Sequence, residues 1–217
     1  MKRTSLIIIT PMVVLVFSIA VLAGEALMSV QLPLPQMQGG RPLMEVLKER
    51  CSKRSFSPEK PPLQVLSNLL WAAFGINRPE SGYRTAPSAR NWQEIDIYVA
   101  MADGLYLYDA KEHLLRQVLT ADIRAMTGSQ TFVKDAPINL VYVADHARMS
   151  GVSPEEAERY MGADAGFIAE NVYLFCASER LATVVRGSIP REGLARAMKL
   201  RPEQQIILAQ TIGYPGK

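Results

Sequence analysis

The sequence predicts one α+β domain behind an apolar leader, and three observations carry the prediction. Apolar residues alternate along 95–101 and fill both faces of 138–144, as strands require. They recur at helical spacing along 63–74 and from 154 to about 180. The segments follow one another as helices, hairpin, strand, long helix, strand, helix, strand, which is not a regular βαβ array. Of the 217 residues, 48% are hydrophobic, enough for one real core and short of two full domains.

The leader comes first. Lys2 and Arg3 precede an almost unbroken apolar run from Leu6 to Ala23, with small residues near Ala23-Gly24 and Ala26. A basic start, an apolar centre and small residues at the end describe a secretory signal peptide. An uncleaved anchor needs about 17–25 apolar residues, so the run also fits one. Residues 1–26 are therefore read as a signal peptide or membrane anchor. Either reading exports the domain, to the periplasm or to a tethered extracytoplasmic position. Contact with a membrane is expected only through this segment, if it is uncleaved.

Residues 27–42, with Pro33, Pro35, Gly39, Gly40 and Pro42, read as an extended lead-in, and the domain occupies 43–217. A short helix is expected from Leu43 to Arg50. Pro62 opens a second helix with an apolar stripe of Leu63, Leu66, Leu70 and Ala73, which Gly75 ends. Ile95, Ile97, Val99 and Met101 share one strand face. Asp103-Gly104 is a hairpin turn, because its backbone needs positive φ, and Leu105 to Tyr108 returns. Ile138 to Ala144, apolar on both faces, belongs in the middle of a sheet. Ser153-Pro154-Glu155-Glu156 is a capping box with proline at the first helical position. The helix it starts reaches about Arg180, with Gly162 as a candidate break. Strands at Ala182 to Val185 and Gln205 to Ile212 flank a helix near Arg191 to Met198.

Composition excludes several classes. A formal charge of +3 with no Lys/Arg cluster gives no reason to expect nucleic acid. No GxGxxG follows a strand and no GxxxxGK[ST] occurs, so neither a dinucleotide fingerprint nor a P-loop is present. His113 and His146 are isolated. Cys51 and Cys176 have no metal or redox spacing; one disulfide is arithmetically available, but Cys176 sits in an apolar helical pattern and reads as core.

Four segments can carry chemistry. In 50-RCSKRSF-56, Arg50, Ser52 and Arg54 recur every second residue, so an extended chain projects them to one side. Two guanidiniums and a hydroxyl suit a phosphate and a planar acceptor edge. The same residues also describe a solvated basic patch after a helix. In 87-PSARNWQ-93, Pro87 stiffens a loop whose small Ser88 and Ala89 admit a flat ligand and whose Asn91 and Gln93 offer donors and acceptors. An ordinary turn has the same composition. Arg186-Gly187 ends a strand, where glycine permits close backbone approach; a strand-ending glycine with a surface arginine is the plainer reading. The terminal 213-GYPGK-217 is by itself a turn.

Taken in order, R-x-S-x-R, P-S-x-x-N-x-Q before a strand, a long mid-chain helix, V-x-R-G and a terminal G-Y-P resemble the nitroreductase-like flavoproteins over about Gly40 to Lys217. The resemblance implies a mixed, mainly antiparallel sheet flanked by helices in an intertwined homodimer. It implies bound FMN, with Arg50, Ser52 and Arg54 at its phosphate, ribityl chain and pyrimidine edge. Pro87, Ser88, Ala89 and Asn91 would reach the flavin from the partner subunit, with Arg186 and Gly187 near its N5. Lys217 is the candidate for a phosphate cation that many members carry further along the chain. The long helix would form the dimer core, its small residues Ala163, Ala165, Gly166 and Ala169 permitting close approach. The implied activity moves electrons through FMN from NAD(P)H or another donor to a small organic acceptor. Two other readings accompany it: an FMN dehydrogenase or oxidase that uses no nicotinamide, as in the azoline-dehydrogenase branch, and a flavin-binding protein without turnover. Where classical nitroreductases often carry an acidic residue, this chain has Arg186, a departure that bears on nicotinamide use.

Overall fold

A computed structural model describes residues 28–216, so the leader and Lys217 lie outside the described residues. Seven antiparallel strands form one sheet. In chain order the elements are β1 (Ser29–Gln31), α1 (Leu43–Glu49), α2 (Leu63–Phe74), β2 (Ile76–Arg78), β3 (Tyr83–Arg84), β4 (Ile95–Met101), β5 (Gly104–Asp109), β6 (Leu114–Leu119), β7 (Ile138–Asp145), α3 (Pro154–Ser178), β8 (Ala182–Arg186), α4 (Arg191–Met198) and β9 (Gln204–Gly213). The sheet runs β1-β6-β5-β4-β7-β9-β8, and β2 pairs with β3 in a separate ribbon. This is the predicted α+β class with a mainly antiparallel sheet flanked by helices.

Alternation along the strands divides the interior in two. Ile95, Ile97, Val99 and Met101 of β4, with Ile138, Leu140, Tyr142 and Ala144 of β7, face the larger core under α2 and α3. Their neighbours Tyr98, Ala100, Val141 and Val143 face a smaller core closed by Leu194 and Met198 of α4. β7 is central because both its faces are covered, as its sequence predicted. Gly104 holds the β4–β5 turn at φ 143°, and a Cβ there would strike the Leu119 carbonyl oxygen.

The short β2–β3 ribbon escaped the sequence pattern, which has a loop there, and so did two strands of the main sheet. β6 follows a turn, 110–113, that contains neither glycine nor proline. His113 itself takes φ 48° there, and Asp109 Oδ1 accepts from the N–H groups of Lys111 and Glu112. β1 is a three-residue edge strand inside the lead-in, paired with β6. Ser67 and His113 hold the chain just after it. Ser67 donates to the Pro33 carbonyl and lies 2.7 Å from His113 Nε2, while His113 Nδ1 faces Tyr108 Oη at 3.1 Å. In α2, Leu66, Leu70 and Ala73 are buried as expected, but Leu63 at the first turn is exposed.

α3 is one unbroken helix through Gly162, about 37 Å long at 1.5 Å per residue. Ser153 Oγ accepts from Glu156 N, and Glu156 Oε2 accepts from Ser153 N, the reciprocal cap read from the sequence. Ala165 and Ala169 turn inward against the protomer's own sheet, whereas Gly162, Ala163 and Phe167 face out. Met161, Ala165 and Ala169 recur every four residues, with Ile168 three after Ala165, which fixes the alanines to the core stripe. They therefore do not belong to the outward face to which the small-residue pattern had been assigned. Cys176 is a buried free thiol and Cys51 an exposed one.

Candidate flavin site

The 50–56 segment hangs on the β8 edge of the sheet. Lys53 N donates to Thr183 O, Gly216 N donates to Ser55 O, Phe56 bridges Pro215, and Ser57 N donates to Tyr214 O. Main-chain groups of alternate residues thus face the protein. Arg50 and Ser52 meet at one residue of α3: the Arg50 guanidinium lies 5.1 Å from the Tyr173 ring centroid, and Ser52 Oγ is 2.8 Å from Tyr173 Oη. Val185 N already donates to that phenol oxygen. Tyr173 is therefore free to donate its own proton to Ser52 Oγ, which leaves the Ser52 hydroxyl proton for another acceptor. Arg54 and Lys53 are exposed beside it. The result is a fixed backbone with two guanidiniums, an ammonium and a hydroxyl, a donor set suited to a phosphate.

Arg186 ends β8 in the same neighbourhood, and its side chain turns inward. It is only 4% exposed. Nε donates to Thr211 Oγ1 at 2.9 Å, Nη1 to Thr127 O at 2.6 Å and Nη2 to Asn139 Oδ1 at 3.0 Å. Every one of these acceptors is neutral, and burial pushes the guanidinium down to about 10. Gly187, by contrast, is exposed with open space around its α-carbon. The exposed element at this corner is thus the backbone at Gly187, and the arginine is neither the surface residue of the plainer reading nor turned toward a ligand. Gln130 Oε1 lies in the same corner, buried and without a donor. Gly128 makes the arrangement sterically possible, because a Cβ there would overlap Arg186 Nη1. Gly128→Ala is expected to lose about 1–3 kcal/mol of stability from this overpacking, read as a lower denaturation midpoint.

The second half is the loop 87–94. Arg90, Asn91 and Gln93 all adopt positive φ, at 49°, 55° and 49°. Three left-handed non-glycine residues in four positions cost free energy that surrounding contacts must offset. Gln93 supplies several: its Oε1 accepts from Arg84 Nε, and its Nε2 donates to Gly82 O and to Asn91 Oδ1. Arg148 donates to the Gln93 carbonyl, and Arg90 to Gly151 O. From beneath, Gln93 N donates to Ser88 Oγ, Ser88 Oγ to Glu94 Oε2, and Ala89 N to Asp164 Oδ2. Pro87 and Asn91 stay exposed, with Ser88 and Ala89 half-buried. Gln93, which the sequence offered as a ligand reader, is committed to the loop's own framework.

Both halves attach to α3, but not at one place. Asp164 holds the loop and Tyr173 holds the 50–54 segment. Nine residues separate them, which is two and a half turns: about 14 Å along the axis and on opposite flanks of the helix. Within one protomer the structure brings Arg50, Ser52 and Arg54 to the β8 corner and leaves the 87–91 loop on the far flank of α3. Sequence reasoning missed Tyr173, Asp164, Glu94 and Gln130. Glu94 left a trace, an acid set directly before a strand whose inward face is apolar; the others carry no local signal.

Comparison with known proteins agrees with this architecture. The Nitroreductase family model matches residues 47–214. A relative from Methanocaldococcus jannaschii assigned to the nitroreductases is 30% identical over 183 residues, covering 80% of this chain and 91% of its own. A crystal structure described as a nitroreductase of Ralstonia eutropha superposes with TM-score 0.84 at 47% identity, covering 87% of this chain and 90% of that one. A Desulfovibrio desulfuricans structure, described as a nitroreductase in complex with FMN, shares the fold with TM-score 0.60 at 21% identity over 82% of this chain and 89% of that one. The chain belongs to the nitroreductase family and is a flavin-dependent oxidoreductase.

Proposed function

We propose that the protein binds FMN between two subunits and passes electrons through it from NAD(P)H or another donor to a small organic acceptor. One observation supports the two-subunit reading: the two ligand-facing segments attach to opposite flanks of α3, about 14 Å apart along its axis. A second copy would bring its 87–91 loop to the first copy's 50–54 segment, giving a homodimer with two shared sites. Exposed Leu43, Met44 and Leu47 on α1, with Phe167 on α3, supply apolar surface for such contact.

The residues present fit the cofactor. Arg50, Ser52 and Arg54 would hold its phosphate and ribityl chain, and the Arg50 stack on Tyr173 fixes one guanidinium in advance. Gly187 lets a flat ring approach the backbone, and Gln130 Oε1 offers an acceptor that lacks a donor. Pro87, Ser88, Ala89 and Asn91 of the partner would close the other side. Arg186 would act by charge alone, since its donors are used internally; a cation near a flavin favours the reduced, more negative form. When bound, FMN supplies two-electron hydride transfer, and the chain supplies binding, orientation and electrostatics. Lys217 would add a further cation at the phosphate. Export by residues 1–26 would place the enzyme where a nicotinamide is not freely available, which favours a donor of another class in the cell.

Size-exclusion chromatography with light scattering tests the shared site. A dimer carrying one flavin per chain is expected, and a monomer that retains flavin would contradict it. Anaerobic mixing with NADPH then sorts the donors: bleaching assigns a nicotinamide, and bleaching by dithionite alone assigns another class.

A further inference from the structure

Beneath the 87–94 loop lie two carboxyl groups that the flavin site does not use directly. Glu94 is fully buried at the start of β4, and Asp164, in the middle of α3, is 3% exposed. They hold consecutive loop residues: Glu94 Oε2 accepts from the Ser88 hydroxyl at 3.1 Å, and Asp164 Oδ2 from Ala89 N at 2.8 Å. Asp164 also acts on the Glu94 carboxyl, and among the described residues Glu94 Oε1 has no donor. Among the described residues, cations meet the loop elsewhere: Arg84 on Gln93 Oε1, Arg148 on the Gln93 carbonyl and Arg90 on the Gly151 carbonyl. Two buried carboxylates side by side, with no cation bonded to either among the described residues, ionise together only against their mutual repulsion; one proton between them removes that repulsion and supplies the donor that Glu94 Oε1 lacks.

We propose that Glu94 and Asp164 share a single proton and, as a pair, hold the loop in its left-handed conformation, making them positioning residues for the half-site that the loop supplies. The inference rests on the flavin reading for its consequence, though not for the pair itself. Burial first, and then Asp164, push the Glu94 carboxyl up to about 7. The folded loop then keeps a proton that an exposed glutamate, with its ordinary value of 4.5, has lost. The stabilisation this gives is complete below about 4.5 and is lost as pH rises through about 7. Above neutrality the Glu94 carboxyl ionises against Asp164, and the repulsion drives apart the two acceptors that hold Ser88 and Ala89.

The test uses Glu94→Gln, whose amide oxygen can accept from Ser88 while its N–H donates to Asp164, so that it mimics the protonated state at every pH. Trp92, between Arg90 and Tyr160, reports the loop; Trp71, the other tryptophan, is replaced by Phe in both proteins. Expected is a Trp92 fluorescence transition near neutrality in the parent apoprotein and none in the Gln variant. The FMN dissociation constant should rise by about fivefold or more from pH 6 to 8.5 in the parent and stay level in the variant, as one linked proton requires. Asp164→Asn, which keeps an acceptor for Ala89 N, should also flatten both profiles. A parent with no transition, or a Gln variant with the parent's transition, overturns the proposal. Should neither protein take up FMN, the flavin reading falls, and the Trp92 titration still decides the carboxyl pair.

Discussion

Replacing Arg50 and Arg54 together by alanine yields folded, colourless protein. Both side chains stand at the surface end of a backbone pinned by Lys53, Ser55 and Ser57, so the segment keeps its course without them. Arg50 loses one stacking contact with Tyr173, worth about 0.5–1 kcal/mol at a partly exposed site. The cofactor loses far more. Hydrogen bonds to charged groups contribute about 1.5–3 kcal/mol each, so two guanidiniums at a phosphate amount to about 3–6 kcal/mol. That is a rise of about 10²- to 10⁴-fold in the FMN dissociation constant. Unchanged circular dichroism with flavin absent after gel filtration is the expected pair of readings. Stoichiometric FMN in the double variant would remove the segment from the site.

Arg186→Met is expected to destabilise the fold by about 2–4 kcal/mol. Two effects oppose each other. Burying a guanidinium among neutral acceptors is costly, as its lowered proton affinity shows, and methionine relieves that cost. Against it, the substitution strips donors from Thr127 O, Thr211 Oγ1 and Asn139 Oδ1, all interior. A buried acceptor left unsatisfied costs about 1–3 kcal/mol. Asn139 keeps one donor, the Thr211 hydroxyl, so about two acceptors bear the loss, and the loss outweighs the relief. In a domain of this size each kcal/mol moves the melting temperature by about 2–4 °C, so a drop of roughly 5–15 °C is expected by calorimetry. An unchanged or higher melting temperature would mean that desolvation dominates and that the charge is kept for the flavin rather than for the fold.

The fold was legible where one residue type had one physical consequence. Asp103-Gly104 predicts its hairpin because the backbone needs positive φ there, and Ser153 with Glu156 predicts a helix start because each satisfies the other's N–H. β6 was not legible, since its turn uses His113 at positive φ, a residue with no turn signature, stabilised by contacts from Asp109, Tyr108 and Ser67 that only the fold assembles. The candidate site divides along the same line. The period-two spacing of Arg50, Ser52 and Arg54 follows from an extended chain and could be read directly. Arg186 could be placed at the end of a strand but not aimed: whether it points to solvent or to Asn139 depends on Gly128, far away in sequence. Glu94 and Asp164 become a pair only when β4 packs against α3. Ala165 and Ala169 show the limit of composition, because small residues suit a helix–helix contact and a helix–sheet contact equally well.

The central claim is that the 50–54 segment and the 87–91 loop are two halves of one FMN site. Its most direct test is an absorbance spectrum of the purified domain, with the released cofactor identified by mass. The account predicts the two bands of an oxidised flavin and the mass of FMN at one per chain. A colourless protein that also fails to take up added FMN would contradict it and leave the family's fold here without its cofactor.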